Sequence, residues 1–331
     1  MSSSKIDAGS RQAHTGKEQA AGDAATAEGF SQINRSVLVT ILCLALAFVL
    51  VAILGARFVF TQAARQPVSM ADVPAPQAES SECSSLIDSL PSKLLGHRRA
   101  ELADPAPAGA AAWRSSSTEQ ITLRCGVDAP LQYTDYSETE GINGTQWLRV
   151  NDAASDSTIA TWFSVNRSPI VAVTADNDAL GGASNPVADI DVAALPEVDA
   201  ERRPAPLSDL APGDAATCGG LEAAAPEEIA PGYRRFPVAQ DNTIAWASPG
   251  NEPVVLRCGV ADPADYRAGA QLIQVDAIAW FQDSEAGNGV TADTWYALGR
   301  KAMLAASIPA GSGNEIITNL SRLIDENVPA S

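Results

Sequence analysis

The feature that most constrains this chain is a tandem duplication of a unit of roughly 115 residues. The segments ITLRCGVDAP (121–130) and VVLRCGVADP (254–263) are nearly identical and lie 133 positions apart. Each copy is long enough to form a domain of its own, so we expect two tandem homologous domains and not a solenoid. All six tryptophans fall into pairs with the same spacing: Trp113 with Trp246, Trp147 with Trp280, and Trp162 with Trp295.

Each copy predicts an α+β fold, an antiparallel sheet with helices on one face. A short helix follows the first cysteine of each copy and ends near Pro91 or Pro226. A final helix is predicted at 314–328, and its counterpart at 185–195 would bury Val187, Ile190, Ala194 and Leu195. Alternating apolar residues predict strands at 121–127, 144–150, 254–260 and 276–282, and hairpins at 158–175 and 291–308.

An uncharged apolar run at 37–56 lies between Arg35 and Arg57 and is long enough to cross a bilayer. Its length and the polar leader before it favour a single-pass signal anchor over a cleaved signal peptide. Positive charges on the two sides are balanced, so they leave the orientation open. The resulting domain plan is a disordered cytoplasmic tail (1–35), a transmembrane helix (36–58), a linker (59–80), the first repeat (81–195), a second linker (196–215) and the second repeat (216–331).

Four cysteines lie outside the apolar run, two in each copy. Their spacing favours the disulfides Cys83–Cys125 and Cys218–Cys258, and four reduced buried thiols are the alternative. Disulfides would put both repeats in an oxidising compartment, which decides the orientation: the tail is cytoplasmic and the repeats are extracytoplasmic, anchored in the cell membrane. Because the chain has no CxxC motif and two histidines in all, we expect no metal site, and we expect no cofactor.

Together these residues resemble a known family. The stretches CGGLEAAAPEEIAPGYRR, IAWASPGNEPVVLRCGVADP, VDAIAWFQ and TWYALGR of the second copy, and less closely their counterparts in the first, are similar to an actinobacterial family of membrane-anchored or secreted envelope proteins known as domain of unknown function 3515. The resemblance spans about residues 83–328 as two tandem copies. It implies an envelope location and a shared fold, and it implies no activity.

The sequence identifies no catalytic residues. Motifs for a nucleophile elbow, a zinc protease or a phosphate-binding loop do not occur, and His97 is the one histidine after the apolar run. The net charge of −18 lies entirely after residue 36, which argues against nucleic acid as a partner. Recurring arginines are candidates for binding an anion, with structural hydrogen bonds as the alternative: Arg124, Arg257, Arg167 and Arg300.

Two functions from different classes fit these observations. One is a non-enzymatic binding or scaffold protein that displays both repeats to an envelope protein or a cell-wall component, where duplication suits bivalent contact. The other is a cell-envelope hydrolase or transferase with a site between the two repeats, which would need a carboxylate of raised pKa in one pocket.

Overall fold

The computed structural model describes residues 35–63, 66–154, 156–283 and 291–331. The chain divides into two compact units, Met1–Phe58 and Val59–Ser331. Helix α1 (Arg35–Ala63) contains a 24-residue stretch, Ser36–Val59, whose mean hydropathy is 3.3 and which is nowhere buried. By length and composition it is able to cross a membrane. The predicted disordered tail, apart from Arg35, lies outside the described residues.

Two eight-stranded antiparallel sheets, one per repeat, form the body of residues 59–331. The first sheet contains β1 (Lys93–Leu94), β2 (His97–Ala100), β3 (Ala110–Arg114), β4 (Gln120–Val127), β5 (Glu140–Ile142), β6 (Thr145–Asn151), β7 (Ala160–Ser164) and β8 (Ile170–Ala175). The second sheet contains β9 (Glu228–Ala230), β10 (Tyr233–Phe236), β11 (Thr243–Ala247), β12 (Val254–Cys258), β13 (Ile273–Val275), β14 (Ile278–Asp283), β15 (Ala292–Leu298) and β16 (Leu304–Pro309). The strand order is β1-β2-β3-β4-β8-β7-β6-β5 in the first sheet and, along the same path, β9-β10-β11-β12-β16-β15-β14-β13 in the second.

Helices pack into the core of each repeat beside its antiparallel sheet, which confirms the α+β prediction. The predicted short helix is α2 (Ser81–Ser89), which contains Cys83, in the first repeat and α4 (Leu221–Ala224) in the second. The final helix α5 (Asn314–Asn327) buries Ile316, Leu320, Leu323 and Ile324 against the second sheet. A further short helix, α3 (Asn177–Leu180), follows β8.

The helix predicted at 185–195 is wrong, because this segment consists of turns. The side chain of Asn185 accepts hydrogen bonds from the backbone N–H groups of Val187 and Ala188, and that of Asp191 accepts one from Ala193. The Asn185 bonds are those of a helix N-cap but only a single turn follows, and the Asp191 bond gives the backbone a local alternative to helical hydrogen bonds. The apolar residues of this segment still reach the core, but the buried set differs from the predicted one, because Val192 is buried and Ala194 is exposed.

Each repeat has its own hydrophobic core with its own disulfide. Five of the six tryptophans are almost fully buried, and the sixth, Trp295, packs against the core from a partly buried position. The indole N–H of Trp113 donates to the Pro91 carbonyl at 2.8 Å, and that of Trp246 donates to the Pro226 carbonyl at 2.9 Å. The tryptophans therefore fix the chain at the end of the first helix identically in both repeats.

Segment 196–215 packs on both repeats. Its first part pairs with the first sheet through a bridge between Arg167 and Glu197, and Ala200 packs against Val165 there. Its second part places Leu207 and Leu210 on the second sheet. The C-terminus repeats the first arrangement, since Arg300 pairs with Ala330, each residue 133 positions after its counterpart.

Candidate functional site

The recurrence of RCGV has a structural cause, because its arginine and glycine contact an N-terminal strap in each repeat and its cysteine bonds to the segment after the strap. We define the straps as residues 66–80 in the first repeat and 205–215 in the second. Arg124 donates to the carbonyl of Ala71. Arg257 donates to the carbonyls of Leu207, Ser208 and Leu210 at 2.7, 3.2 and 2.9 Å. These two arginines thus occupy equivalent positions and have the same structural contact.

The cysteine of the motif bonds to a cysteine that follows the strap, inside α2 in the first repeat and just before α4 in the second. Cys83 is joined to Cys125 and Cys218 to Cys258, the pairing that the spacing favours. The next residue, Gly126 or Gly259, has a positive φ and lies directly against the strap. A Cβ on Gly126 would come within 2.3 Å of the backbone at Gln77 and Ala78. Close backbone approach therefore requires glycine at this position.

The other pair of candidate arginines holds the turn between the last two strands. Arg167 is buried and donates to Thr145 Oγ1 at 3.3 Å and to the carbonyls of Gly144 and Leu195 at 2.8 and 3.5 Å. Arg300 donates to the Val328 carbonyl at 3.1 Å and forms a 2.6 Å ion pair with Asp325. All four arginines therefore make structural hydrogen bonds, and anion binding by them stays a prediction that none of these contacts supports.

His97 is buried within a short hydrogen-bonded chain. Its Nε2 donates to the carbonyl of Ala179 in α3 at 2.7 Å, and its Nδ1 lies 2.8 Å from Ser115 Oγ. Ser115 in turn donates to Glu119 at 2.5 Å. Both ring nitrogens are thus engaged, and helix α3 covers the imidazole, so the histidine has no nitrogen left for a substrate.

The second repeat carries the equivalent three positions as Tyr233, Ser248 and Glu252. Ser248 and Glu252 lie 133 residues after Ser115 and Glu119, and Tyr233 begins β10 as His97 begins β2. The segment equivalent to α3, residues 310–313, forms a turn and not a helix. Tyr233 and Glu252 therefore face a cleft instead of a helix.

This cleft lies between the two repeats and has a volume of about 510 Å³. Its floor is a direct contact: Asn151 of the first repeat donates from its backbone to the Gly250 carbonyl at 2.7 Å and from its side chain to Asn251 at 3.1 Å. Nearby, the rings of Tyr136 and Phe236 meet edge to face with centroids 5.6 Å apart. The volume of the cleft falls within the usual range for small-ligand pockets.

Carboxylates dominate the charge of the cleft. Burial raises the pKa of Glu252 above its usual 4.5, against the opposing effect of hydrogen bonds from Thr291 and the Ala292 backbone. Burial, together with the nearby Glu252, also raises the pKa of Tyr233 to about 12, so this phenol is neutral at physiological pH. Among the described lining residues there are four acidic groups and one basic group: Glu138, Glu140, Asp152 and Glu252 against Arg149.

The sequence did not single out the Tyr233–Glu252 pair, although a signal was present. The spacing of 133 relates Glu252 to Glu119 and Ser248 to Ser115, as it relates the tryptophans. Nothing in the sequence shows that one copy would be covered by α3 and the other left open. Within the described ranges, no group of three or more His, Cys, Asp or Glu side chains could hold a metal ion.

Comparison with known proteins agrees with the duplication. No curated protein and no solved structure matches the chain. The family model described as a protein of unknown function (DUF3515) matches twice, at residues 42–200 and 190–331. The two matches meet in the segment 190–200, close to where the repeats meet in the structure. The chain therefore belongs to the DUF3515 family, with two consecutive copies of its domain.

Proposed function

We propose that this chain is a single-pass membrane protein whose two repeats act outside the cytoplasm as one binding or scaffold unit. One observation carries the proposal: the chain combines a 24-residue apolar helix, exposed along its length, with a disulfide in each repeat. Disulfides persist in oxidising compartments, and an exposed apolar helix needs an apolar surrounding such as a bilayer. The cell membrane, with the repeats on its outer side, satisfies both requirements.

The contacts between the repeats support a single rigid unit. The segment 196–215 binds both sheets, and the hairpin of β11 and β12 contacts the end of β6 through Asn151. Two modules held in this way present their surfaces at a fixed distance, which suits a scaffold. The two surfaces differ, because α5 covers the second sheet where turns cover the first.

An envelope hydrolase or transferase is the second candidate, and Glu252 is the observation that favours it. A carboxylate of raised pKa in a cleft is a common feature of acid–base catalysis. However, Glu252 Oε2 already accepts hydrogen bonds from the backbone and the hydroxyl of Thr291. These bonds give the side chain a structural role at the start of β15, so we place the scaffold function first.

The location is tested by labelling thiols in intact cells that express the full chain. We expect a membrane-impermeant maleimide to label the repeats only after treatment with an impermeant reductant. Labelling without reductant, or labelling only after lysis, would contradict the proposed side of the membrane.

The choice between the two functions is tested with the full chain in detergent and purified cell-wall material. A scaffold should bind the material or a wall-associated protein without releasing soluble products. Release of products by the native protein but not by Glu252→Gln would instead establish the enzyme.

A further inference from the structure

We propose that the cleft between the repeats binds a small ligand through a protonated amine, with Glu252 and Tyr233 as its principal contacts. This inference rests on the proposed binding function and names the class of ligand. The charge of the cleft is negative, because its described walls carry four carboxylates and a single guanidinium.

The guanidinium offsets only one of these four charges, and its position is fixed by other contacts. Arg149 donates from Nε to Asn151 at 2.9 Å, and its charged end lies over the ring of Trp162, 5.4 Å from the centroid. A cation that enters the cleft would therefore meet carboxylates without displacing a basic side chain. An anion would meet net repulsion at the same place.

Tyr233 provides the second, independent observation. It is only 7% exposed and lines the cleft, yet its hydroxyl makes no hydrogen bond with any residue of the described ranges. The hydroxyl itself is not sealed from solvent, so a ligand or a water molecule in the cleft can form the hydrogen bond that the protein does not supply. His97, at the equivalent position of the first repeat, has both of its ring nitrogens engaged. The hydroxyl without a protein partner, that of Tyr233, thus lies in the repeat where the start of the second strand is open to the cleft.

The state of Glu252 fits a cationic ligand. Burial disfavours its ionised form in the free protein, and a positive charge nearby would favour that form again. The neutral phenol of Tyr233 can accept a hydrogen bond from an ammonium group and donate one to a neighbouring oxygen. A volume of about 510 Å³ accommodates a tripeptide or a sugar unit more readily than a protein domain.

The test is calorimetric titration of the full chain in nanodiscs with two amine probes and their neutral counterparts. The first probe is acetyl-Ala-Lys-Ala-amide, compared with the same peptide carrying norleucine. The second is glucosamine, compared with N-acetylglucosamine. We expect at least one amine to bind and its neutral counterpart to bind about tenfold more weakly, the effect of one charge-assisted hydrogen bond. The probe that binds identifies the source of the amine as peptide or sugar.

Variants assign the binding to the cleft. Glu252→Gln should weaken the amine about tenfold and Tyr233→Phe should weaken it severalfold. Glu119→Gln is the matched control, because it changes the equivalent residue of the first repeat, which does not line the cleft, and it should leave binding unchanged. Thermal unfolding of each variant shows that it is folded, and Tyr233→Phe remains informative if Glu252→Gln unfolds.

Equal binding of charged and neutral probes, binding of none, or equal loss in Glu119→Gln and Glu252→Gln would overturn the inference. These results are independent of the thiol-labelling and wall-binding experiments, so the cleft can be refuted while the proposed function stands.

Discussion

Substitution of Gly126 tests the strap that the repeated RCGV motif holds in place. Gly126 has a φ of +88°, and a Cβ there would lie 2.3 Å from the Ala78 nitrogen and from the Gln77 carbonyl carbon. Real Cβ atoms do not approach backbone this closely, so in Gly126→Ala the strap must move away. That movement would weaken the bond of Arg124 to Ala71 and the bond of the Gln77 N–H to the Gly126 carbonyl.

The chain offers a matched control for this substitution. Gly96 has a φ of +89°, nearly the same as Gly126, but a Cβ on Gly96 would meet nothing within 4 Å. Gly96→Ala therefore incurs only the conformational penalty of a positive φ, about 1 kcal/mol. Gly126→Ala incurs that penalty and the cost of overpacking, typically about 1–3 kcal/mol more.

We expect Gly126→Ala to lower the free energy of unfolding by about 2 kcal/mol more than Gly96→Ala. For a compact unit as large as residues 59–331, this difference in free energy corresponds to roughly 5 °C in Tm. The assay is thermal unfolding of the full chain in detergent, followed by tryptophan fluorescence. Equal destabilisation by the two substitutions would show that the strap does not pack on the motif and would refute this explanation of the repeat.

Three further predictions concern the disulfides, the cleft and the buried arginine. Replacing Cys218 and Cys258 together by alanine should destabilise the protein by about 4 kcal/mol, the entropy of a loop closed over 40 residues, as measured by denaturant unfolding. Because the pKa of Glu252 is raised, the folded state binds the proton more tightly, so the contribution of this group to stability is present below pH 4.5 and is lost as the pH rises through the raised pKa. The stability of Glu252→Gln relative to the native protein should therefore increase over that range. A constant difference in stability would contradict the burial of the carboxyl. Arg167→Ala should cost about 2–3 kcal/mol because it leaves the buried Thr145 hydroxyl and the buried Leu195 carbonyl without this donor. Removal of the exposed Arg267, paired with Asp265 at 3.7 Å, should change Tm by less than the error of the scan.

The duplication made much of the fold predictable from sequence. A short apolar pattern in a single copy is an ambiguous sign of a strand, and it becomes a clear one when the same pattern occurs in both copies, as at 121–127 and 254–260. The cysteine pairing followed from the same symmetry. The prediction of a helix at 185–195 failed because its apolar spacing suits a helix, whereas Asn185 caps only a single turn and Asp191 forms a local bond to Ala193 within the segment.

The straps could not be recognised from periodicity. Residues 66–80 and 205–215 are rich in proline and alanine and have no repeating apolar pattern, so they resemble linkers. They are held instead by backbone contacts to Gly126 and Gly259 and by arginine bonds to carbonyls. Contacts to carbonyl groups leave no trace in the side chains of the strap, and the signal in the sequence is the arginine and the glycine that flank each cysteine.

The cleft illustrates how a duplication produces a new site without a new fold. Both repeats place a polar residue at the start of the second strand, a serine after the third and a glutamate four positions further on. In the first repeat α3 covers the histidine of this group, and the carbonyl of Ala179 accepts a hydrogen bond from His97. In the second repeat the chain continues from β16 through a turn into α5, so the group remains open and meets the surface of the first repeat. Because the two copies otherwise share their framework, the search for a function belongs at this asymmetric position and not at the motifs that recur.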